Sequence, residues 1–591
     1  MEKPIVDARL LAAVIGAVEA EGESLRAEFC RPGGPRGRRG TCPLDREIEE
    51  RLRTVLVGLI PATFCGEECE SVPGTQAGWT WLVDPHDGTF EFMSGRRGSA
   101  ISVALLREGV PVLGVVHAPD PPDRGPDTIA WAEGARLQRN GRPLEVDLSE
   151  RRLAAGEFVL ATASTALKPE TWSRAVAPAR YVAMPSIAYR IARVAAGDAI
   201  ATLSVHAVNE YDVAAGMALL RAARGVLLDA GGREVVLQGR SENRLSGCFA
   251  GAPQAARQLA QFDWKLLDQE PRREPRVTLV FPRKKADTRL SRAQGCLLGQ
   301  VVGDSLGSQV EFKPANEIAR LHPGGLRELA DGGVYHMLAG QPTDDSEMAL
   351  TLARAIAREG RYDAEKVLDR YREWLTSRPV DVGMTTEKGL IGITDSRSES
   401  NGSLMRVSPI GIWAAGDPAL AARTARDDST LTHPNDVCLE ACAAYCAAIA
   451  AGIGGATPAG MVEAALAHSK GPAHEAIKRA AKGNAPADFF THQGWVILGL
   501  QNAFHKLTHS RSLEEALVET VGYGGDTDTN AAIAGALLGS LHGRENIPAR
   551  WIFAVLSCRP LAECGALRPR PIEYWPDDVL ELAEVLLALA P

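Results

Sequence analysis

Hydrophobic and polar positions divide the chain into a mixed first half and a helical second half. The amphipathic stretch Asp7 to Phe29 predicts a helix, and the apolar run Trp79 to Asp84 predicts a buried strand that ends in a carboxylate. Ala100 to Leu106 and Val110 to His117 predict paired strands around a turn at residues 107–109. Helical spacing returns at residues 189–196 and 213–223. This order predicts an α+β or layered α/β domain.

Beyond residue 287 the apolar spacing is helical almost throughout. Alanine-rich segments dominate, among them Met348 to Ala357, Val437 to Ala451 and Ala531 to Leu541, and strand-like runs are scarce. We therefore expect an all-α domain with functional loops between its helices.

The two halves meet at a change of composition near residue 263. Charged residues and prolines dominate residues 263–285, with one short apolar break from Val277 to Phe281 that suggests a strand docked on a neighbour. At 591 residues the chain is too long for one hydrophobic core. We predict a first domain over residues 1–262, a linker over 263–286 and a second domain over 287–591.

Composition limits the classes of function. A net charge of −9 disfavours non-specific nucleic-acid binding, although a nucleotide or an RNA end stays open as a substrate. The 11 cysteines form no regular framework; Cys438, Cys442 and Cys446 share one helix face and are interpreted as core residues of a reduced protein. Because the N-terminus lacks a signal pattern and no apolar run approaches about 20 residues, we expect a cytoplasmic protein without a membrane partner.

Carboxylates with distinctive neighbours mark the first half. Asp84 and Asp87 bracket Pro85 just after the predicted strand, Glu67 follows Gly66, and Asp212 begins an alanine-rich helix. Each of them alone also fits a turn or a helix cap. Together they supply the oxygen ligands that hard cations such as Mg²⁺ prefer.

The sequence segments around these carboxylates resemble those of the inositol monophosphatase family over residues 40–235. The stretch Trp81–Phe92 is most similar to the branch that acts on 3′(2′),5′-bisphosphate nucleotides. The resemblance implies a layered α/β/α/β/α sandwich with two or three Mg²⁺ ions. The implied metal ligands are Glu67, Asp84, Asp87, Asp212 and the main-chain carbonyl of His86; Asp45 and Thr89 would activate the attacking water, and Ser186, Arg190 and Glu210 would contact substrate.

This half departs from the family pattern at three places. His86 replaces the usual isoleucine or leucine, and Tyr211 stands where tryptophan is common. The glycine-rich loop 31–40 carries four arginines where the family has a metal-site loop. It fits either a mobile surface loop or a clamp for a phosphate-rich substrate.

The second half carries two further acidic clusters, each at the start of a helix. Thr343-Asp-Asp-Ser346 precedes one apolar helix, and the glycine-rich run Gly522–Asn530 places Asp526 and Asp528 before another. Two adjacent aspartates exceed what helix capping needs. The clusters together supply oxygens for two hard cations.

These clusters resemble those of the ADP-ribosylglycohydrolase family, which includes the dinitrogenase-reductase-activating hydrolase, over residues 287–560. The likeness includes Gly303-Asp-Ser-Leu-Gly307, Glu311-Phe312, Asn401–Val407 and Thr432-His-Pro434. It implies an all-α bundle with two Mg²⁺ or Mn²⁺ ions. The implied ligands are Thr343, Asp344, Asp345, Asp526, Asp528 and Thr529; Glu311 would assist catalysis, and Asn401, Gly402, Ser403, Met405 and His433 would line the ADP-ribose cleft.

We therefore expect a bifunctional metal-dependent hydrolase. The second domain would cleave an ADP-ribosyl C1″ linkage, and the first would hydrolyse a phosphate monoester of a nucleotide-like or ADP-ribose-derived molecule in the same pathway. The acceptor stays open between protein, RNA end and small molecule, and so does the oligomeric state. The alternatives are a protein ADP-ribosyl hydrolase fused to an unrelated inositol-phosphate or adenosine-bisphosphate phosphatase, and one half acting only as a ligand sensor.

Overall fold

The computed structural model of the protein describes residues 5–38, 40–279 and 288–591. Its chain forms two compact units, one of Met1–Glu274 with Leu279–Lys285 and one of Pro275–Thr278 with Ala286–Pro591. Arg39 of the predicted arginine loop, Val280 and Phe281 of the predicted docked strand, and the predicted domain boundary at 286/287 lie outside the described residues.

The described residues of the N-terminal unit form three sheets. The first has seven strands in chain order, the second has five strands in the order β12-β14-β10-β8-β9, and the third pairs β11 with β13. The strands are β1 Thr63–Gly66, β2 Trp79–Asp87, β3 Ala100–Arg107, β4 Val110–Ala118, β5 Asp127–Ala132, β6 Gln138–Arg139, β7 Arg142–Pro143, β8 Phe158–Ala161, β9 Arg180–Ala183, β10 Ala201–Ser204, β11 Val208–Asn209, β12 Val226–Asp229, β13 Arg244–Leu245 and β14 Cys248–Gly251.

Within the part of this unit that the structure describes, eight α-helices complete the fold and give it five layers. They are α1 Ala8–Phe29, α2 Pro43–Leu59, α3 Thr89–Phe92, α4 Pro169–Val176, α5 Ile187–Ala195, α6 Glu210–Ala222, α7 Pro253–Ala260 and α8 Leu266–Gln269. Helices α1 and α2 cover one face of the seven-stranded sheet, α5 and α6 lie between the two large sheets, and α4 and α7 cover the outer face of the second. The predicted α/β/α/β/α sandwich is confirmed.

Small residues allow the middle layers to approach closely. A Cβ atom at Gly114 of β4 would lie 2.5 Å from the carbonyl oxygen of Ala215 in α6. At Gly216 a Cβ atom would lie 2.5 Å from the Ile191 side chain of α5. The helix pair therefore packs directly on the sheet, which brings the start of α6 towards the end of β2.

Residues 263–274, predicted as linker, belong to the N-terminal unit. The Trp264 ring lies 4.8 Å from that of Trp172, centroid to centroid. The Glu270 carboxylate accepts hydrogen bonds from the backbone N–H groups of Glu170 and Thr171 at the start of α4, at 2.9 and 2.8 Å. One half-buried aromatic residue and one helix-capping carboxylate thus hold a segment whose composition indicated a linker.

The C-terminal unit is helical, as predicted. Its helices are α9 Thr288–Gly307, α10 Ala315–Leu321, α11 Asp344–Glu359, α12 Ala364–Thr376, α13 Met384–Leu390, α14 Ser408–Trp413, α15 Pro418–Thr430, α16 Asp436–Ile453, α17 Pro458–Ala467, α18 Gly471–Ala481, α19 Val496–His509, α20 Leu513–Gly522, α21 Thr527–His542, α22 Ala549–Leu556 and α23 Val579–Ala588.

A row of glycines sets the central helix pair of this unit. Gly295 and Gly299 of α9 face Gly539 and Gly535 of α21, so the two helices run antiparallel. A Cβ atom at Gly299 would lie 2.4 Å from the Gly535 carbonyl oxygen, and one at Gly307 would lie 2.4 Å from the Asp528 nitrogen. The contact places the end of α9 against the start of α21, where the second acidic cluster begins.

Helix α16 is long and apolar enough, by length and composition alone, to cross a membrane. Most of it is buried inside the unit, as in the core helix of a globular protein. Its three aligned cysteines are buried, and their sulfurs contact Ser400 O, Ser403 Oγ and Val407 O along one neighbouring segment.

Candidate functional site

Three carboxylates of the C-terminal unit converge on one point. Ligand oxygens of Glu311, Asp526 and Asp528 all lie within 4.8 Å of one another, and all three residues are buried. Asp526 and Asp528 stand at the N-terminal end of α21, while Glu311 comes from the segment that follows α9. The glycine-mediated contact of these two helices therefore assembles the group.

A second pair of carboxylates joins it from the start of α11. Oδ2 of Asp345 lies 3.1 Å from the Thr343 hydroxyl oxygen and 3.3 Å from the Thr529 hydroxyl oxygen. Oδ2 of Asp344 accepts a hydrogen bond from the Gly383 backbone N–H at 3.4 Å. Oε2 of Glu311 and Oδ1 of Asp345 are buried with no hydrogen-bond partner among the described residues. Buried carboxylate oxygens without a hydrogen-bond partner are suited to bind a cation, whose positive charge would compensate their negative charge.

The backbone beside Glu311 is fixed by the glycine-rich turn. The Phe312 N–H donates to the Gly525 carbonyl oxygen at 2.8 Å, and the Gly525 N–H donates to the Lys313 carbonyl oxygen at 3.0 Å. Gly525 has φ +77°, and a Cβ atom there would lie 2.1 Å from the Phe489 carbonyl oxygen. Only glycine meets both conditions without strain.

Burial and mutual repulsion govern the charges of this cluster. Burial raises the pKa of Glu311 to about 8. Burial, and then repulsion from Asp344 and Asp304, raises the pKa of Asp345 well above its ordinary value. Burial, and then repulsion from Glu311 and Asp345, does the same to the pKa of Asp528. The protein holds these carboxylates close together at a cost that a bound cation would offset.

The N-terminal unit brings together the four carboxylates singled out in its sequence. Oδ1 of Asp84 accepts the His86 backbone N–H at 2.8 Å, and Oδ2 of Asp212 accepts the Asn209 backbone N–H at 2.7 Å. Asp84 lies within hydrogen-bonding range of both Glu67 and Asp212. The end of β2, the loop after β1 and the first turn of α6 thus meet at one place.

Burial and mutual repulsion also raise the pKa values of carboxylates in the N-terminal unit. Burial, and then repulsion from Glu68 and Asp87, raises the pKa of Glu67 to about 7. Burial, and then repulsion from Glu67 and Asp87, raises the pKa of Asp84 well above its ordinary value. This second group of crowded carboxylate oxygens also suits hard cations.

Each of the two carboxylate groups lies in a region of the chain that matches a known protein family. The ADP-ribosylglycohydrolase family matches residues 285–589, which is slightly more than half of the chain. The inositol monophosphatase family matches residues 38–261. The chain belongs to both families. It therefore joins an inositol monophosphatase domain to an ADP-ribosylglycohydrolase domain.

Curated relatives match one domain or the other. The ADP-ribosyl-(dinitrogen reductase) glycohydrolase of Rhodospirillum rubrum is 32% identical over 44% of this chain and 89% of its own length. The ADP-ribosylarginine hydrolase Tri1 of Pseudomonas putida is 26% identical over 51% of this chain and 86% of its own. The inositol-1-monophosphatase of Rhizobium meliloti is 34% identical over 32% of this chain and 71% of its own.

In the inositol monophosphatase domain, the residues expected to activate water have other contacts. The Thr89 hydroxyl donates to the His86 carbonyl oxygen at 2.7 Å. Oδ1 of Asp45 lies 2.7 Å from Nδ1 of the His86 ring, while Nε2 of that ring is buried without a partner among the described residues. The histidine that departs from the family pattern is thus bound to Asp45.

The three expected substrate contacts of this domain are buried residues with structural hydrogen bonds. Ser186 donates its hydroxyl to Oδ2 of Asp87 at 2.5 Å. The Arg190 guanidinium bonds the carbonyl oxygens of Ser186 and Leu203, at 3.2 and 2.7 Å. The Glu210 carboxylate accepts the backbone N–H groups of residues 238–240, which orders that loop.

In the arginine-rich loop of the same domain, two guanidinium groups pair with acidic residues, and that of Arg31 lies 3.5 Å from Glu28. Arg36 pairs with Glu28 at 2.9 Å and with Glu47 at 3.1 Å, which ties the loop to helices α1 and α2. Arg31 and Arg38 are exposed.

In the ADP-ribosylglycohydrolase domain, the segment Asn401–Met405 adjoins the carboxylates at one end. The Asn401 amide donates to Oδ2 of Asp526 at 2.7 Å. Ser403 is fully buried and contacts Ser429 and Cys442, and the Met405 carbonyl oxygen accepts from the Gln300 amide. A Cβ atom at Gly402 would lie 3.0 Å from the His433 ring, so glycine allows the ring to pack against this segment.

His433 itself is fully buried, with Nδ1 2.7 Å from the Thr432 hydroxyl and Nε2 3.0 Å from the Ser400 hydroxyl. Burial, and then the charge of Arg406, lowers the pKa of its imidazole to about 3, so the ring is neutral. It orders the segment next to the cleft.

An open groove of about 570 Å³ adjoins Asn401, lined by Glu399, Ser400, Trp495 and residues 491–494. The Trp495 indole N–H donates to the Glu399 carboxylate at 2.8 Å, which orients a ring that is 38% exposed. Sequence patterns gave no signal for this groove, because its two walls lie almost 100 residues apart.

Sequence reasoning missed three acidic residues at the two sites. Glu49 of α2 accepts the backbone N–H groups of Glu68 and Cys69, at 2.8 and 2.9 Å, and so fixes the loop that carries Glu67. Asp381 acts electrostatically on Glu311 and Asp344. Asp304 contacts Thr343. Only Asp304 had a signal, since it lies within the motif Gly303–Gly307.

Proposed function

We propose that this chain is a bifunctional metal-dependent hydrolase with one centre in each domain. The ADP-ribosylglycohydrolase domain would cleave an ADP-ribosyl C1″ linkage, and the inositol monophosphatase domain would hydrolyse a phosphate monoester. The observation that carries the proposal is the convergence of Glu311, Asp526 and Asp528 oxygens within 4.8 Å at a buried site. Buried carboxylates that repel one another are costly without a compensating positive charge, and a bound cation supplies that charge.

In the C-terminal centre, Thr343, Asp344, Asp345, Asp526, Asp528 and Thr529 would hold two Mg²⁺ or Mn²⁺ ions. Bound divalent ions stabilise developing charge and activate water. Glu311 would assist in proton transfer or gating, because its second oxygen has no partner among the described residues. The groove beside Trp495 would accept the nucleoside end, since an oriented indole offers a stacking surface for a base.

In the N-terminal centre, Glu67, Asp84, Asp87, Asp212 and the His86 carbonyl would hold two or three Mg²⁺ ions. Ser186 would act by holding Asp87 in place rather than by touching substrate, because its hydroxyl is committed to that carboxylate. Glu210 would likewise act through the loop that it orders.

A shared substrate would explain the fusion. We propose a phosphorylated ADP-ribose derivative or an ADP-ribosylated phosphate end of RNA, for which one domain removes phosphate and the other breaks the C1″ bond. Support comes from the likeness of the first domain to bisphosphate nucleotidases, since both domains would then recognise an adenosine ribose.

The test uses the full chain and two single-centre variants, Asp87→Asn and Asp528→Asn. Each is incubated with Mg²⁺ or Mn²⁺ and a panel of ADP-ribosylated peptides, phosphorylated ADP-ribose, adenosine bisphosphate and inositol phosphate. We expect phosphate release to vanish in the first variant and ADP-ribose release in the second, with phosphorylated ADP-ribose used by both centres. Turnover of unrelated compounds by the two centres would remove the shared pathway, and binding without turnover at one centre would make that domain a sensor.

A further inference from the structure

Asp304 stands at the end of helix α9, one residue after Gly303 and three before Gly307. It is fully buried and is separate from the Glu311, Asp526 and Asp528 group. Its position follows from the glycine row: Cβ atoms at Gly303 and Gly307 would lie 2.1 Å from the Ala531 oxygen and 2.4 Å from the Asp528 nitrogen. The close contact with α21 thus fixes the helix turn that carries this carboxylate.

The Asp304 carboxylate is fully engaged with the first turn of α11. Oδ1 lies 3.0 Å from the Thr343 hydroxyl oxygen and accepts the Thr343 backbone N–H at 3.1 Å. Oδ2 accepts the Ser346 backbone N–H at 3.0 Å and shares the Thr343 backbone N–H at 3.2 Å. A carboxylate from a neighbouring helix therefore caps α11, and Thr343 itself makes no side-chain capping bond.

The Thr343 hydroxyl lies between two carboxylates. It is 3.0 Å from Oδ1 of Asp304 and 3.1 Å from Oδ2 of Asp345. A hydroxyl has one proton and two lone pairs, so it donates to one of these carboxylates only. If the proton points to Asp345, the lone pairs of Thr343 face away from the carboxylate cluster. If it points to Asp304, a lone pair faces the cluster.

We propose that Asp304 is a positioning residue for the C-terminal metal centre: it takes the Thr343 hydroxyl proton and so turns an oxygen lone pair of Thr343 towards the cation. The inference rests on the metal centre proposed above. Asp304 also holds the start of α11, which carries Asp344 and Asp345, at a fixed distance from α21. Partners of metal ligands generally act in this way, by setting the orientation of a ligand atom.

Asp304→Asn discriminates this role from plain capping. The asparagine oxygen still accepts the backbone N–H groups of Thr343 and Ser346. Its NH₂ group, which is a donor, faces the Thr343 hydroxyl and forces the hydroxyl proton away from residue 304. The helix cap survives, while the orientation of the Thr343 oxygen is reversed.

The experiment measures Mn²⁺ binding to the full-length chain by calorimetry, with the melting temperature in EDTA as the second readout. The variants are Asp304→Asn, Thr343→Val, Thr343→Ser and the double variant Asp304→Asn/Thr343→Val. Asp363→Asn is the matched control, because Asp363 caps α12 through a 3.3 Å bond to the Lys366 N–H and has no contact with the cluster among the described residues. Asp528→Asn marks the Mn²⁺ that belongs to this centre.

We expect Asp304→Asn and Thr343→Val each to weaken the Mn²⁺ binding that Asp528→Asn removes, by about 10- to 100-fold. The double variant should be no weaker than the weaker single variant, while Thr343→Ser and Asp363→Asn should bind like the wild type. Wild-type affinity in Asp304→Asn, or losses that multiply in the double variant, would overturn the positioning role.

Two further outcomes also decide the matter. If Asp304→Asn does not fold, the Thr343 pair decides: loss with valine and retention with serine support the inference, and wild-type affinity with valine overturns it. If the wild-type chain binds no Mn²⁺ that depends on Asp528, the proposed metal centre itself fails, and that result is distinct from a failure of the Asp304 role.

Discussion

Nδ1 of His86 lies 2.7 Å from Oδ1 of Asp45, and the two side chains are only 0% and 3% exposed. The pair links the end of β2 to the first turn of α2, beside the phosphatase carboxylates. An apolar residue in place of the histidine, as is usual in the inositol monophosphatase family, would leave Asp45 without this partner. The two positions are therefore expected to behave as one unit in this chain.

His86→Leu is expected to lower the free energy of unfolding of the N-terminal domain by about 1–3 kcal/mol, because it leaves a buried carboxylate unsatisfied. Adding Asp45→Leu should recover part of this loss, since replacing both partners removes the unpaired group. Urea unfolding in EDTA measures both effects. His206→Leu, at an exposed histidine of the same domain, should stay within about 0.5 kcal/mol of the wild type. Additive effects of His86→Leu and Asp45→Leu would show that the pair is not coupled.

The fold of each domain could be predicted because its periodic patterns are long. The strands β3 and β4 and the helices α1, α11 and α16 begin and end within a few residues of the predicted positions. The sequence alone could not predict that Asp526 lies close to Glu311, because this depends on the glycine contact between α9 and α21. A helix pair that far apart in sequence leaves no local pattern.

The hydrogen bonds between site residues and backbone groups were the part that the sequence could not reveal. Glu210 and Arg190 were expected at the substrate, but the structure engages their polar groups with backbone atoms. A charged side chain looks the same in sequence whether its partner is a ligand or a loop. Asp304 and Glu49 were overlooked for the same reason, because their partners are backbone N–H groups on other elements.

Because α9 and α21 are in contact through glycines, adding one methyl group by a glycine-to-alanine change should strongly lower the stability of the domain. In Gly299→Ala the new Cβ atom would lie 2.4 Å from the Gly535 carbonyl oxygen, so the helices must separate. We expect a loss of at least about 1–3 kcal/mol in stability together with weaker Mn²⁺ binding, since the separation also moves Asp528.

Gly522→Ala is the control for this change. Gly522 lies in helix α20 of the same domain, and its Cβ atom would meet nothing within 4 Å. It should leave Mn²⁺ binding unchanged and raise stability by up to about 1 kcal/mol. Equal thermal stability of the two variants would contradict the close-contact argument.

The buried ion network of the N-terminal domain predicts its acid sensitivity. Arg193 lies 2.9 Å from Asp123 and 2.7 Å from Asp198. Although burial opposes it, the charge of Arg193 and then of Arg124 holds the pKa of both aspartates well below the ordinary value. A depressed pKa contributes stability that is present above the unfolded value, about 3.9, and is lost as the pH falls below it.

Below pH 4, each of these two aspartates should therefore remove about 1.4 kcal/mol of stability per pH unit. Unfolding followed by circular dichroism measures how the free energy of unfolding changes with pH. The range from pH 5 to pH 2.5 spans about 2–3 units around the carboxylate pKa values. Arg124→Gln should lower the stability at neutral pH and make the loss in acid smaller, because it removes one of the charges that lower the pKa of both aspartates. Arg224→Gln, which breaks an exposed pair with Asp147, should not.

Trp495 predicts a binding effect in the ADP-ribosylglycohydrolase domain. If its exposed ring stacks on the nucleoside end of the substrate, Trp495→Ala should raise KM by about tenfold, which corresponds to the 1–3 kcal/mol of a base–aromatic stack. The kcat should change little, because the ring is equally engaged in ground and transition states. Phe490→Ala is the control, since Phe490 is exposed on the same loop but does not line the groove. A lower kcat at unchanged KM would exclude the stacking role.

Metal removal should separate the function of the C-terminal cluster from its effect on stability. Burial and repulsion from Glu311 and Asp345 act against Asp528 when no cation is present. In EDTA, Asp528→Asn should therefore raise the stability of this domain by about 0.5–2 kcal/mol. Added Mn²⁺ should stabilise the wild type by about 2.7 kcal/mol at a concentration 100 times the Kd, and the variant much less. Thermal unfolding with and without Mn²⁺ measures both. A variant that is less stable than the wild type in EDTA would show that Asp528 serves the fold, and that its charge is not held for a cation.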